Sequence, residues 1–184
     1  MKKLLSCSML ACSLFLAACH DYDVYYESSY EVVHEPISLA EIDIIDSYGY
    51  SSNELESFLP AVNPYIDDGL FDILWLTYSY EPYSVEFLLG RSANILQAKS
   101  VYAQSCQGPG DSSSGCGELS QQSCFYTPGL ELYCGGLKDA YDSEQGSYIG
   151  DLIYQLPQKL YFFVEVCEQY GSRCEYDVRE LVFE

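Results

Sequence analysis

Between residues 106 and 174 the chain places six cysteines: Cys106, Cys116, Cys124, Cys134, Cys167 and Cys174. No other feature limits the possible folds as tightly. The intervening stretches are 9, 7, 9, 32 and 6 residues long, and the only histidines, His20 and His34, are far away in sequence. Structural zinc sites favour cysteine pairs separated by two to four residues, with histidine a frequent partner. This spacing therefore points away from zinc and toward three disulfides, the usual state of an even cysteine set in an exported chain. Six cysteines allow 15 connectivities, and local geometry narrows them. In VCEQYGSRCEY a turn centred on Tyr170-Gly171 sets Glu168 opposite Arg173 and Cys167 opposite Cys174. Directly opposed strand residues lie about 4.5–5.5 Å apart at Cα, within disulfide reach. Three arrangements of the other four cysteines then remain. The favoured one joins Cys124 to Cys134 across a hairpin turning at Thr127-Pro128-Gly129, and Cys106 to Cys116 around QGPGDSSSG.

The remaining three cysteines, Cys7, Cys12 and Cys19, lie in the first nineteen residues. There Lys2 and Lys3 precede the uncharged run LLSCSMLACSLFLA, residues 4–17. That run is shorter than the roughly 20 residues a membrane-spanning helix needs and fits a signal-peptide core. It ends in Leu16-Ala17-Ala18-Cys19, which resembles the lipobox of bacterial lipoprotein precursors. The resemblance covers only this leader. It implies a diacylglyceryl group on the Cys19 thiol, cleavage between Ala18 and Cys19, and acylation of the new amine. An alternative site at Met9-Leu10-Ala11-Cys12 leaves too short an apolar core before it. With His20 rather than an aspartate after the cysteine, the sorting pattern of such precursors implies the outer membrane. One acyl chain binds a membrane only marginally, whereas two anchor it stably. Cys7 and Cys12 then leave with the leader, Cys19 carries lipid, and the odd total of nine cysteines resolves to six that pair.

The expected organisation is a cleaved signal peptide over residues 1–18, a lipidated cysteine and acidic, tyrosine-rich tether over 19–35, and one domain over 36–184. The sixteen tether residues 20–35, HDYDVYYESSYEVVHE, would reach at most about 53–58 Å when extended. After residue 18 six Lys/Arg stand against all 28 Asp/Glu, a net charge of −22. Nucleic acids and anionic lipid surfaces are held by Lys and Arg, so such a chain repels both. The 19 tyrosines favour strands and half-buried surfaces.

The domain reads as strands separated by turns. ISLAEIDIID changes apolar parity near Ala40-Glu41, the mark of a bulge. Asn53, with Glu56 three residues on, could open a short helical turn. FDILWLTYSY (71–80) is apolar on both parities, as in a strand covered on both faces, and Tyr83, Val85, Phe87 and Leu89 alternate cleanly. Tyr80-Glu81-Pro82-Tyr83 is expected to be a hairpin turn between these two. NILQAKSVYAQSC (94–106) reads as a strand, Leu152-Ile153-Tyr154 as a short one, and LYFFVEVC with CEYDVRELVFE as a closing hairpin. Many short strands with almost no helical period predict an all-β fold: an antiparallel two-sheet sandwich of about seven to nine disulfide-stapled strands.

Catalytic signals are sparse. Both histidines lie in or beside the tether, and no nucleophile-elbow, zinc-protease or phosphate-loop motif occurs. The expectation is a non-catalytic, lipid-anchored envelope lipoprotein without a cofactor, its sandwich contacting another envelope protein. The alternative is a glycan- or Ca²⁺-binding module. Calcium would draw on Asp67, Asp68 and Asp72, or on Asp43 and Asp46 if their loops meet, against a requirement of six to eight oxygens. A glycan would use Tyr78, Tyr80 and Tyr83, with Trp75 nearby but read as core because it sits inside the most apolar strand. A hydrolase built on two carboxylates is a more distant alternative.

Overall fold

Apolar residues alternating along ten strands produce two five-stranded sheets with their apolar faces turned toward each other. The computed structural model describes residues 36–53, 59–79, 81–108, 116, 119–135, 146–170 and 173–184. The strands are β1 (Ser38–Ile45), β2 (Ala61–Val62), β3 (Leu70–Tyr78), β4 (Tyr83–Gly90), β5 (Lys99–Cys106), β6 (Leu119–Tyr126), β7 (Glu131–Cys134), β8 (Ser147–Tyr148), β9 (Gln158–Glu168) and β10 (Cys174–Phe183). The first sheet runs β1-β3-β6-β7-β8 and the second β2-β10-β9-β4-β5. Every pairing is antiparallel except that of the two-residue β2 with the end of β10. The expected all-β, two-sheet, disulfide-stapled sandwich is what forms.

The core lies between the sheets. Ile42 and Ile44, Phe71, Ile73 and Trp75 from the first sheet meet Val85, Phe87, Phe162, Val164 and Phe183 from the second. Edge-to-face ring pairs bridge the gap: Phe71 with Phe162 at 6.4 Å, Trp75 with Phe87 at 5.6 Å, and Tyr126 with Phe183 at 5.0 Å between centroids. Such pairs add about 0.5–1.5 kcal/mol each beyond the area they bury.

This packing corrects the reading of residues 80–83. β3 and β4 are not a hairpin, because they lie in different sheets and the chain between them crosses over. Each strand carries a strong apolar face, and the two faces cover each other across the core, with Trp75 of β3 packed edge-to-face on Phe87 of β4. Two other expectations also change. The 94–106 segment opens with a 3₁₀ turn at Ile95–Gln97, whose Leu96 N–H donates to the Asn94 side chain, and the strand begins only at Lys99. Residues 152–154 form a bend rather than a strand. Arg91 grips it: its Nε donates to the Leu152 carbonyl at 3.0 Å, and its guanidinium lies 3.5 Å over the Tyr154 ring. The parity switch in β1 is a real register shift, between Leu39 and Glu41. β3 is buried on its inner face and half-covered on the other.

At one corner of the sandwich, side chains of the second sheet close the outer edge of β1. Glu168 accepts from the Ile37 N–H, Glu175 from the Leu39 N–H at 3.1 Å, and Arg179 donates to the Ile42 carbonyl at 3.0 Å. Ser52 satisfies both backbone groups of Ile44. At the opposite corner the Ser147 hydroxyl donates to the Val101 carbonyl, and Lys99 reaches the Tyr148 carbonyl and the Asp151 carboxylate.

Three disulfides hold the frame: Cys106–Cys116, Cys124–Cys134 and Cys167–Cys174. Cys124 faces Cys134 across β6 and β7, and Cys167 faces Cys174 across β9 and β10. These are the pairs that spacing and turn position favour.

Candidate functional site

The loop after β1 is organised by one buried carboxylate. Asp46, 3% exposed, accepts the N–H groups of Tyr48 and Tyr50 on one oxygen and that of Ala61 on the other. Gly49, at φ +83°, supplies the left-handed turn between the two tyrosines, a conformation that glycine adopts without steric cost. The result sets Tyr48 and Tyr50 beside the β2–β10 pair with their side chains about half exposed. Tyr48, Tyr50, Leu59, Ala61, Val182 and Glu184 line an open groove of about 320 Å³. The Tyr48 hydroxyl donates to the Glu184 carboxylate at 3.0 Å, and Asn63 donates to both. Its size is at the lower end for small-ligand sites, and its makeup of aromatic walls with a few polar groups is typical of them.

A second, smaller depression of about 200 Å³ lies on the first sheet, lined by Leu74, Trp75, Leu76 and Leu119 together with Glu41, Asp43 and Asn53. Partial burial pushes the Asp43 carboxyl up, but hydrogen bonds from the Ser51 and Ser52 hydroxyls and from backbone N–H groups outweigh it and leave the group below the usual carboxylate range.

On the outer face of the second sheet, Glu86 on β4 sits directly opposite Glu165 on β9. Burial, and then the charge of Glu86, hold the Glu165 carboxyl above its ordinary range. Glu165, Cys167 and Cys174 bring one carboxylate oxygen and two sulfurs within 4.8 Å of one another, the one group of three metal-ligating side chains among the described residues. In this structure the two sulfurs are bonded to each other.

The residues singled out from sequence are distributed as follows. Ala18, Cys19 and the 20–35 tether lie outside the described residues, as do Tyr80 and Glu56. Asp67 and Asp68 are exposed in a short 3₁₀ turn with positive φ angles, while Asp72 on β3 accepts the Ser123 hydroxyl at 2.6 Å. The structure does not gather the three into one ligand group. Asp43 and Asp46 use their oxygens to hold the 46–53 loop. Of the expected aromatic face, Tyr78 is exposed, but Tyr83 is 2% exposed and belongs to the core, where Trp75, at 1%, lies as its apolar strand predicts. The Tyr48–Tyr50 groove was missed in the sequence. Its only signal there is SYGY, two tyrosines around a glycine, which reads as a loop until Asp46 is seen to fix it.

By fold the chain is a disulfide-stapled, all-β two-sheet sandwich with a strongly acidic composition. No protein-family model, curated protein or solved structure matches it.

Proposed function

We propose that this chain is a lipid-anchored cell-envelope protein whose sandwich is a non-catalytic interaction module. The observation that carries the reading is the fate of the cysteines. Six of those after residue 18 are closed into three bridges, which leaves Cys19 as the one thiol over, at the position where Leu16-Ala17-Ala18-Cys19 calls for lipid. His20 supports sorting to the outer membrane, and an acidic tether would hold the domain away from anionic headgroups. Metabolic labelling with palmitate in a bacterial host tests this. The wild type should incorporate label into the outer-membrane fraction, and Cys19→Ser should lose it. An unlabelled wild type would overturn the anchor. Cross-linking in intact envelopes tests the module: recurrent capture of one envelope protein is expected, and no specific partner would count against an interaction role.

A second reading, a glycan-binding module, is favoured by the Tyr48–Tyr50 groove, since phenol rings stack on sugar faces while a carboxylate accepts from hydroxyls. It predicts a thermal shift with envelope glycans that Tyr50→Ala removes.

A further inference from the structure

The three disulfides differ in access. Cys106, Cys116, Cys124 and Cys134 are 0%, 3%, 0% and 9% exposed. Cys167 is half-buried and Cys174 exposed, at the turn end of the β9–β10 hairpin and on the outer face of the sheet. Thiol–disulfide exchange needs a thiolate to reach a sulfur, so an external reductant meets this bridge first. Breaking it leaves the hairpin aligned: β9 and β10 pair continuously from Cys174–Cys167 to Phe183–Gln158, and β9 is clamped on its other side by β4. The two cysteines would therefore stay opposed, with Cα atoms near their present 4.1 Å separation.

Their surroundings suit a cation. Glu165 precedes Cys167 by two residues, so both project from the same face of β9. Its carboxylate lies within 4.8 Å of both sulfurs. Glu86 stands directly opposite it on β4. Like charges directly opposed on neighbouring strands destabilise a sheet, and a bound divalent ion would relieve that repulsion. Two thiolates and one carboxylate, with the fourth position open to water, match the tetrahedral sulfur and oxygen preferences of zinc.

We propose that Cys167, Cys174 and Glu165 form a redox-gated zinc site, closed as a disulfide under oxidising conditions and opened by a dithiol reductant. The chemistry balances. A dithiol delivers two electrons and two protons to the Cys167–Cys174 bond, giving two cysteine thiols and the oxidised, cyclic disulfide of the reductant. Zn²⁺ then displaces both thiol protons, forming two Zn–S bonds, and takes one oxygen from Glu165. The preference for zinc over calcium follows from the thiolates, which are soft ligands that calcium does not seek. Spacing along the chain did not reveal this group, because its third ligand comes from strand parity and its sulfur pair from cross-strand register.

The test uses the full chain in detergent, treated with graded dithiothreitol, trapped with iodoacetamide and mapped by mass spectrometry. Cys167 and Cys174 should be labelled at concentrations that leave the other four bridged cysteines protected. After removal of reductant under argon, the partly reduced protein should take up one Co²⁺ with a thiolate-to-cobalt charge-transfer absorption, and Zn²⁺ should displace it. Glu165→Gln should weaken uptake at least tenfold, Glu165→Asp should restore part of it, and Cys167→Ser with Cys174→Ser should abolish it. Circular dichroism of each variant checks that the sandwich is retained. Equal or earlier labelling of the other four bridged cysteines, absence of the cobalt band, or undiminished affinity in Glu165→Gln would each overturn the site.

Discussion

Glu86 and Glu165 face each other across adjacent antiparallel strands on the outer side of the second sheet, with burial and then mutual charge holding the Glu165 carboxyl above its ordinary range. A raised carboxyl favours the folded state when protonated. The cost of ionising it is present above the folded-state pKa and disappears below the unfolded one. Glu86→Gln should therefore stabilise the metal-free, oxidised protein at neutral pH by about 0.2–1 kcal/mol, the scale of cross-strand pairs. The gain should fade as the pH falls through the carboxylate range. Urea midpoints at neutral pH and in acid measure it, and an equal gain at both would show that charge is not the cause.

Asp46 behaves in the opposite sense to a surface acid: nearly enclosed, it holds three backbone N–H groups of the loop that builds the Tyr48–Tyr50 groove. Hydrogen bonds to a charged acceptor are worth about 1.5–3 kcal/mol, and buried donors left without a partner are costly. Asp46→Ala should destabilise the protein by about 2–3 kcal/mol in denaturant unfolding and raise amide exchange at Tyr48, Tyr50 and Ala61. Unchanged exchange at those three amides would show that the loop does not depend on this carboxylate.

These two acids show where reading the sequence succeeds and where it stops. Strand alternation is local, so Tyr83, Val85, Phe87 and Leu89 announce their inner face directly, and the hairpin geometry of VCEQYGSRCEY pairs Cys167 with Cys174. Sheet membership is not local. β3 and β4 read as hairpin partners, yet they face each other across the core because Trp75 and Phe87 pack there. The candidate sites depend on that same non-local information. Asp46 reads as a candidate calcium ligand beside Asp43 until Ala61 arrives fifteen residues later to share it, and Glu165 gains Glu86 only through register.

The bridges also differ in what they support. A disulfide closing a loop of about ten residues restricts the unfolded chain by roughly 2.5 kcal/mol. The Cys124–Cys134 bridge spans 10 residues and the Cys167–Cys174 bridge 7, so their chain-entropy contributions are similar. The first, however, packs within the core cluster while the second lies outside it. Cys124→Ala with Cys134→Ala should thus cost more than Cys167→Ala with Cys174→Ala, by about 1 kcal/mol or more from the cavity left behind. Thermal and urea unfolding of the two double variants decide the order, and a larger loss at the hairpin would contradict this account.

The covered edge of β1 gives the last prediction. An open edge strand offers unpaired N–H and C=O groups to any other strand. Here Glu175 takes the Leu39 N–H and Arg179 supplies the Ile42 carbonyl, two contacts that cross from one sheet to the other. Arg179 is also paired with Asp177 at 2.8 Å, which fixes its reach. Removing both, as Glu175→Ala with Arg179→Ala, should cost about 1–3 kcal/mol, since the Leu39 N–H loses its carboxylate and the Ile42 carbonyl keeps the Asn53 amide at 3.3 Å but loses the guanidinium. It should also open the edge to a second copy of the chain. Light scattering should show concentration-dependent association in the double variant and none in the parent, while Lys159→Ala with Glu180→Ala, which breaks an ion pair on the same hairpin, should remain monodisperse. Association in that control to the same extent would place the effect in lost surface charge rather than in the exposed edge of β1.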